Sequence, residues 1–520
     1  MPGVASASGR RGIVATAFPA ASKAGYAAFA AGGNAIDAAV AAAWALAVCE
    51  PSGSGLGGQT VLLARLASGR TVAIDGHSRA PAAVSRASVS RSEQRTGYRA
   101  TTVPTTPATL AHVQERYGSL SLSRVLEPAR ELAEDGYAVT ALQSRQLTWC
   151  RDRLAATPAT AHFLRNGHPY AVGERFRQPR LAAALRRIAS HGVADFYAGD
   201  VARAVVSDMR RHDGLIEPSD LEETPTFTER EPISLSYRGH EVITIPPPGG
   251  GVELLFALRL LEQFDNTRWV NKPERWYRCL ADVVHAAFAE RERDPAHPDD
   301  WSTARAARVL DERRAGKLAR RLKPVAAGVE REEPGETTHL CTADAQGNVV
   351  SLTQSIQSLF GAKVANSSYG FLYNNYLTTC PRRPHRYRLT SRCLARSNAA
   401  PTLVLAGTGD AKPMLTLGAA GSRRIVSSLV HVLSGVLDRR ASLADALDAA
   451  RLHPRLSGRV WLERPAATTE LREALGERFR GVELRRRHSY FMGAVQAVDL
   501  RDTTMLGVAD PRRDGAAYGW

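Results

Sequence analysis

The chain has 520 residues, 44% hydrophobic and 23% charged, with 42 Gly and 28 Pro; this excludes disordered and fibrous classes and suits two to four domains or one large enzyme fold. Lys and Arg outnumber Asp and Glu by 68 to 52, a formal charge of +16, but the basic residues are mostly Arg and scattered. The excess therefore reads as a compositional habit, with an anionic ligand as the alternative, and not as a nucleic-acid face.

Taken in chain order, Met1 to Arg11 has two arginines but no apolar core of a signal peptide, so a cytoplasmic protein is expected. Ala35 to Val48 is about 14 residues of mostly Ala with Asp37 inside it, too short and too weakly apolar to span a bilayer. It reads as a buried, tightly packed helix. Ser121 to Glu134 places Val125, Leu126, Ala129, Leu132 and Ala133 on one helical stripe and stops at Gly136, with a bend expected at Pro128. Asp200 to His212, Leu254 to Gln263 and Trp276 to Asp294 are further helices, and Pro246 to Gly251 is a rigid turn followed by a flexible one.

From Leu310 to Glu336 the composition turns to Arg and Glu without apolar period, which reads as an exposed linker. Strands follow. Thr338 to Thr342 and Val349 to Thr353 flank a turn at Asp344 to Asn348, and Thr402 to Ala406 and Met414 to Leu417 flank another at Gly407 to Asp410, with a helix beginning near Gly421. Six cysteines, Cys49, Cys150, Cys279, Cys341, Cys380 and Cys393, lie far apart without a Cys-x-x-Cys pair. Neither a zinc ribbon nor a disulfide framework is indicated, no metal or cofactor is expected, and a reducing compartment fits.

A charged linker running straight into Thr337-Thr338 at the start of a strand suggests chemistry. A threonine hydroxyl is a poor nucleophile without a base, but a threonine that is its own N-terminus carries one, because an α-amine titrates near neutrality. Such an enzyme must first cut itself. Ordinary strand residues are the other reading of this pair, and a serine triad is disfavoured because no Gly-x-Ser-x-Gly elbow occurs.

Seven collinear segments resemble the γ-glutamyltransferase family of N-terminal-nucleophile hydrolases: Gly32 to Ala39, Glu50 to Gly58, Asp220-Leu221 with Tyr237 to Gly239, Pro246 to Gly251, Glu336 to His339, Asp344 to Leu352 and Gly370 to Asn375. The resemblance covers nearly the whole chain from about Arg10. It implies a mixed α/β fold, a four-layer αββα sandwich built jointly by two fragments, 1–336 and 337–520, that arise by cleavage of Glu336-Thr337 and stay together as a heterodimer. Thr337 would be the nucleophile and, through its new amine, the base. Ser355 would be the assisting hydroxyl, and Ala420 and Gly421 would offer backbone N–H groups to the oxyanion, a placement that suits a turn before a helix.

The resemblance also implies where substrate binds, and there the sequence departs from the family. His77 stands at an Arg position, Thr379 (with Thr378) at an acidic position, Tyr376 and Gln357 at amide positions, and Ser397-Asn398 at a paired serine. A free amino-acid head group would lose its counter-charges, while Arg79 and the arginines from Arg382 to Arg396 would favour a carboxylate. A lid loop over the acyl pocket is expected to be missing. The implied function is hydrolysis of an amide, or of a C–C bond beside a carbonyl, in a small carboxylate-bearing metabolite, as in the family branch that trims alkylproline antibiotic precursors. An ordinary glutathione hydrolase or transferase is the main rival and an anion-binding relic the other, with neither nucleic acid nor membrane as partner.

Overall fold

The computed structural model describes residues 3–223, 227–266, 269, 272–322, 324–325, 335–409 and 411–520. Two seven-stranded sheets, antiparallel throughout, form its centre. The first runs Ala5–Gly9, Met505–Ala509, Ala494–Asp499, Pro413–Ala420, Thr402–Leu405, His240–Thr244, Ile233–Tyr237. The second runs Ala516–Gly519, Gly12–Thr16, Gly335–Asp344, Val349–Ser358, Gln59–Arg65, Thr71–Gly76, Thr228–Arg230.

Alternation along the strands builds the layers. In Gly12–Thr16, Ile13 and Ala15 enter the cluster between the sheets while Val14 faces helices, and Val61 and Leu63 are divided from Leu62 in the same way. In the first sheet Leu403 and Leu405 face inward and Val404 faces the opposite helical layer. Pro19–Ala30, Ala35–Cys49 and Leu122–Asp135 cover the second sheet, and Gly251–Leu261, Pro273–Arg293 and Arg424–Leu437 cover the first. The result is the four-layer αββα arrangement expected. Both sheets combine strands from either side of residue 336: in the second, Gly335–Asp344 and Val349–Ser358 lie between Gly12–Thr16 and Gln59–Arg65.

Ala35–Cys49 is buried along all 15 residues, and its side chains are small enough to let Pro19–Ala30 and Leu122–Asp135 pack close. Asn34 caps it through the N–H groups of Ile36 and Asp37, and Asp37 accepts from Asn34, Ser119, Leu120 and Gln114, so the one acid in the segment is fully satisfied. Pro128 lies inside Leu122–Asp135. Among these described residues no helix is long and apolar enough to cross a membrane.

One expectation is corrected. Residues of the linker from Leu310 form a helix, Glu312–Ala319, and its end, Gly335-Glu336, is buried in a central strand; Lys323 and 326–334 lie outside the described residues, as does Asp410 of the second hairpin turn. The helix expected near Gly421 begins at Arg424. Cys380 and Cys393, far apart in sequence, bring their sulfurs to 3.5 Å as free thiols.

Between the sheets, Gly418 faces the His339 ring, and a Cβ there would stand 2.1 Å from the His339 Cε1 atom. The ring cannot yield: it is fully buried and its Nδ1 lies 2.9 Å from the Thr353 hydroxyl. Gly418→Ala is therefore expected to cost about 1–3 kcal/mol by overpacking, read as a lower denaturation midpoint with an unchanged slope.

Candidate active site

The strand Gly335–Asp344 is paired on both sides, and its register with Val349–Ser358 shifts between Glu336 and Thr338. Between the pairs Glu336–Gln357 and Thr338–Gln354 the partner strand carries two residues, Ser355 and Ile356, against Thr337 alone, so the ladder is bulged opposite Thr337, a device that re-aims side chains locally. Its hydroxyl donates to Ser355 Oγ at 3.2 Å, and the Ser355 hydroxyl donates to the Glu336 carbonyl oxygen at 2.8 Å. Ser355 Oγ also accepts from the Gln357 N–H at 2.9 Å, which requires Gln357 to adopt a left-handed φ of 80°. Such a conformation costs a side-chain-bearing residue on the order of 1–3 kcal/mol and persists only when neighbours impose it. One serine thus connects the Thr337 hydroxyl to the carbonyl of the preceding residue.

A buried ionic cluster, which sequence reasoning missed, holds the other side of this peptide. Arg513 donates to the Thr337 carbonyl oxygen at 2.9 Å, pairs with Glu50 at 3.0 Å, and also pairs with Glu336, whose carboxylate in turn accepts from the Tyr490 hydroxyl. Burial pushes the Glu50 carboxyl up to about 7, with Glu336 adding to the rise and Arg513 and Thr338 opposing it. Glu50 opens a segment already singled out, but its partner lies 463 residues away. No local pattern reports such a pair.

The cavity at Thr337 is lined by Gln59, Ser355, Gln357, Tyr376, Ser397, Asn398 and Ser422 among others, none of them charged at neutral pH. Tyr376 reaches both Ser355 and Gln59, and burial keeps its phenol protonated by pushing its pKa up. Arg291, buried and paired with Glu253 at 2.7 Å, donates to Asn398 Oδ1 and to the Ser397 carbonyl oxygen. Gly250 permits this close packing, since a Cβ there would lie 2.5 Å from the Asn398 carbonyl oxygen. Ala420 ends its strand, and Gly421, at a φ of 124°, turns the chain so that Ser422 reaches the cavity and packs against Gly335.

Three sequence-predicted binding residues lie apart from that cavity lining. His77 is buried with Nδ1 2.6 Å from Asp75, itself paired with Arg230 at 3.2 Å. Arg79 is exposed beside Leu394. Thr379 ties its own loop, donating to the Tyr376 carbonyl oxygen and accepting from the Arg396 N–H. The loop itself is present and pinned: Arg386 pairs with Asp300, Arg392 with Glu223, and Arg383 and Arg396 with Glu292. Among the described residues, no group of three or more His, Cys, Asp or Glu is arranged to hold a metal ion.

An αββα sandwich with a buried threonine at the start of a central strand is the architecture of the N-terminal-nucleophile hydrolases. The Gamma-glutamyltranspeptidase family model matches residues 21–520, and the chain belongs to that family of enzymes. It is 34% identical to Acylase ACY 1 proenzyme from Pseudomonas sp. (strain V22), over 98% of this chain and 93% of that protein. It is 30% identical to the Glutathione hydrolase proenzyme of Bacillus subtilis, over 98% of this chain and 92% of that protein. The crystal structure of cephalosporin acylase from Bacillus halodurans superposes with a TM-score of 0.90 at 28% identity, covering 100% of this chain and 97% of the other.

Arg513→Gln leaves Glu50 and Glu336 buried without their counter-charge, a loss of about 3–5 kcal/mol. The sign of its pH dependence follows from Glu50, whose burial raises its pKa in the folded protein from the ordinary carboxylate range to about 7. A proton held by the folded state stabilises it below the unfolded pKa, and that contribution is lost as pH rises through about 7. The deficit of Arg513→Gln is expected to be larger at pH 8 than at pH 5, as measured by urea unfolding at both pH values.

Proposed function

We propose that the protein is a self-maturing threonine amidohydrolase whose acyl group carries a carboxylate but needs no α-ammonium. The observation that carries this reading is Ser355, which accepts from Thr337 Oγ and donates to the Glu336 carbonyl oxygen. In the first reaction Thr337 Oγ attacks the Glu336 carbonyl carbon and passes its proton to Ser355, as Ser355 gives its own toward the carbonyl oxygen. Collapse breaks the C–N bond, the Thr337 nitrogen takes up a proton, and an ester remains. Water hydrolyses that ester, leaving a carboxylate on Glu336 and a free amine and hydroxyl on Thr337. The bulge favours attack, because it takes this peptide out of the regular ladder.

In the uncleaved chain the cavity at Thr337 is about 10 Å³, room for about one water molecule and none for an acyl group. Maturation must therefore precede turnover, in keeping with the proenzyme relatives. Afterwards the Thr337 amine, near neutrality in pKa, takes the hydroxyl proton during attack on substrate. The amine product leaves with a proton, and water releases the acid. The N–H groups of Ala420 and Gly421 serve the tetrahedral oxygen, and Gln357, Tyr376, Ser397 and Asn398 orient the acyl chain.

The uncharged lining supports a substrate without an α-ammonium, which would be desolvated there without a counter-charge, while the acyl carboxylate is directed to the arginines beyond Ser397 and Ser422. Burying an ion without a partner is costly. The acylase relatives favour an amide over a C–C bond.

Two experiments test this. Thr337→Ala is expected to abolish both maturation and turnover, whereas Ser355→Ala should mature slowly, on the order of 10²-fold, as for loss of one oriented hydrogen-bond donor; wild-type maturation in Ser355→Ala, followed on a denaturing gel, removes it from the mechanism. Glutaryl anilide, which is γ-glutamyl anilide without the ammonium, should be the better substrate by kcat/KM. Turnover of the γ-glutamyl compound at about 1–10³ per second with no gain for glutaryl contradicts the assigned specificity.

A further inference from the structure

Beside the Thr337 cavity lies a second cavity of about 510 Å³, lined by Arg91, Arg95, Arg382, Arg383, Arg396 and Arg423, with Glu292 as its acid. The two adjoin through consecutive residues: Arg396 precedes Ser397 and Arg423 follows Ser422, and both serines line the catalytic cavity. Glu292 organises the arginines without cancelling them. It pairs with Arg396 at 2.8 Å, Arg423 at 3.0 Å and Arg383 at 3.3 Å. Burial raises its pKa, but Arg396 and Arg423 outweigh that and bring it down to about 2, so it stays ionised and holds three guanidinium groups in place. Arg423 and Arg396 remain partly exposed, at 24% and 12% of their side-chain surface, so both guanidinium groups stay within reach of the cavity.

We propose that this arginine cavity is an anion vestibule that takes the part of the substrate remote from the scissile carbonyl, and that this part carries two or more carboxylates. This rests on the amidohydrolase reading and deepens it: the acyl carbonyl lies among neutral groups at Thr337, and the charges extend past Ser397 and Ser422 to the planar forks of Arg396 and Arg423. Arginine suits that task because its fork matches a carboxylate with two parallel donors. A single carboxylate engages one arginine. Two or three carboxylates are needed to use a cavity with six arginines and one glutamate.

The test is calorimetric titration of the mature protein with tricarballylate, glutarate and acetate at constant ionic strength. Tricarballylate is expected to bind most tightly and acetate least, and Arg423→Gln should weaken tricarballylate at least 10-fold. Arg151→Gln, which removes an exposed charge elsewhere, should leave binding unchanged. If Arg423→Gln fails to fold, Arg383→Gln, on the exposed rim, is expected to weaken tricarballylate several-fold. Equal binding of tricarballylate by wild type and these variants, or an equal loss with Arg151→Gln, overturns the vestibule. Tricarballylate should also raise KM for glutaryl anilide without lowering kcat; binding without that effect places the anion off the substrate path and overturns the proposal. Should no anilide be turned over, the amidohydrolase reading fails while the titrations still decide whether the anion site exists.

Discussion

The Ser355 hydroxyl stands between the Thr337 hydroxyl and the Glu336 carbonyl, and the surrounding structure keeps that bridge in place. The bulge between Glu336 and Thr338 brings the two ends of the peptide to one serine. The left-handed Gln357 turns its N–H onto the same oxygen. Arg513 fixes the Thr337 carbonyl from the opposite side and balances the charge of Glu336. Remove the bridge and the threonine is an ordinary strand residue; keep it, and a hydroxyl, a proton path and a carbonyl lie within hydrogen-bonding distance, the arrangement that the proposed nucleophilic role of Thr337 needs.

The same constraint explains the interleaved fold. A nucleophile held between two sheets cannot depart with its fragment without exposing the clusters on both faces of its strand. Burying apolar surface stabilises by about 25 cal/mol per Å², so under the proposed cleavage at Glu336-Thr337 the two fragments would remain one body. The proposed cleavage also fits the tight cavity, because Gly335 packs against Ser422 and Gln357, two residues of its lining.

Much of the fold was legible in the chain because its signals are local. Asn34 and Asp37 mark a helix start, Ser121 and Gly136 bracket another helix, and Asp344 to Asn348 marks a hairpin. Thr337 and Ser355 stood out through their motifs. Arg513, Glu50, Arg291 and Tyr490 did not, because each acts on a residue more than a hundred positions away. The linker reading failed where composition is ambiguous: an Arg- and Glu-rich run forms a solvated helix as readily as a loop, and Glu312–Ala319 does so, capped by Asp311. Arg79 was assigned to substrate from its place in a motif, and exposure is not written in a motif.

Intact-mass and N-terminal analysis of the purified wild-type protein tests the central claim most directly. The account predicts two associated fragments, residues 1–336 and 337–520, with a new N-terminus at Thr337 and a combined mass one water above the precursor. A single uncut chain that hydrolyses acyl anilides would contradict it.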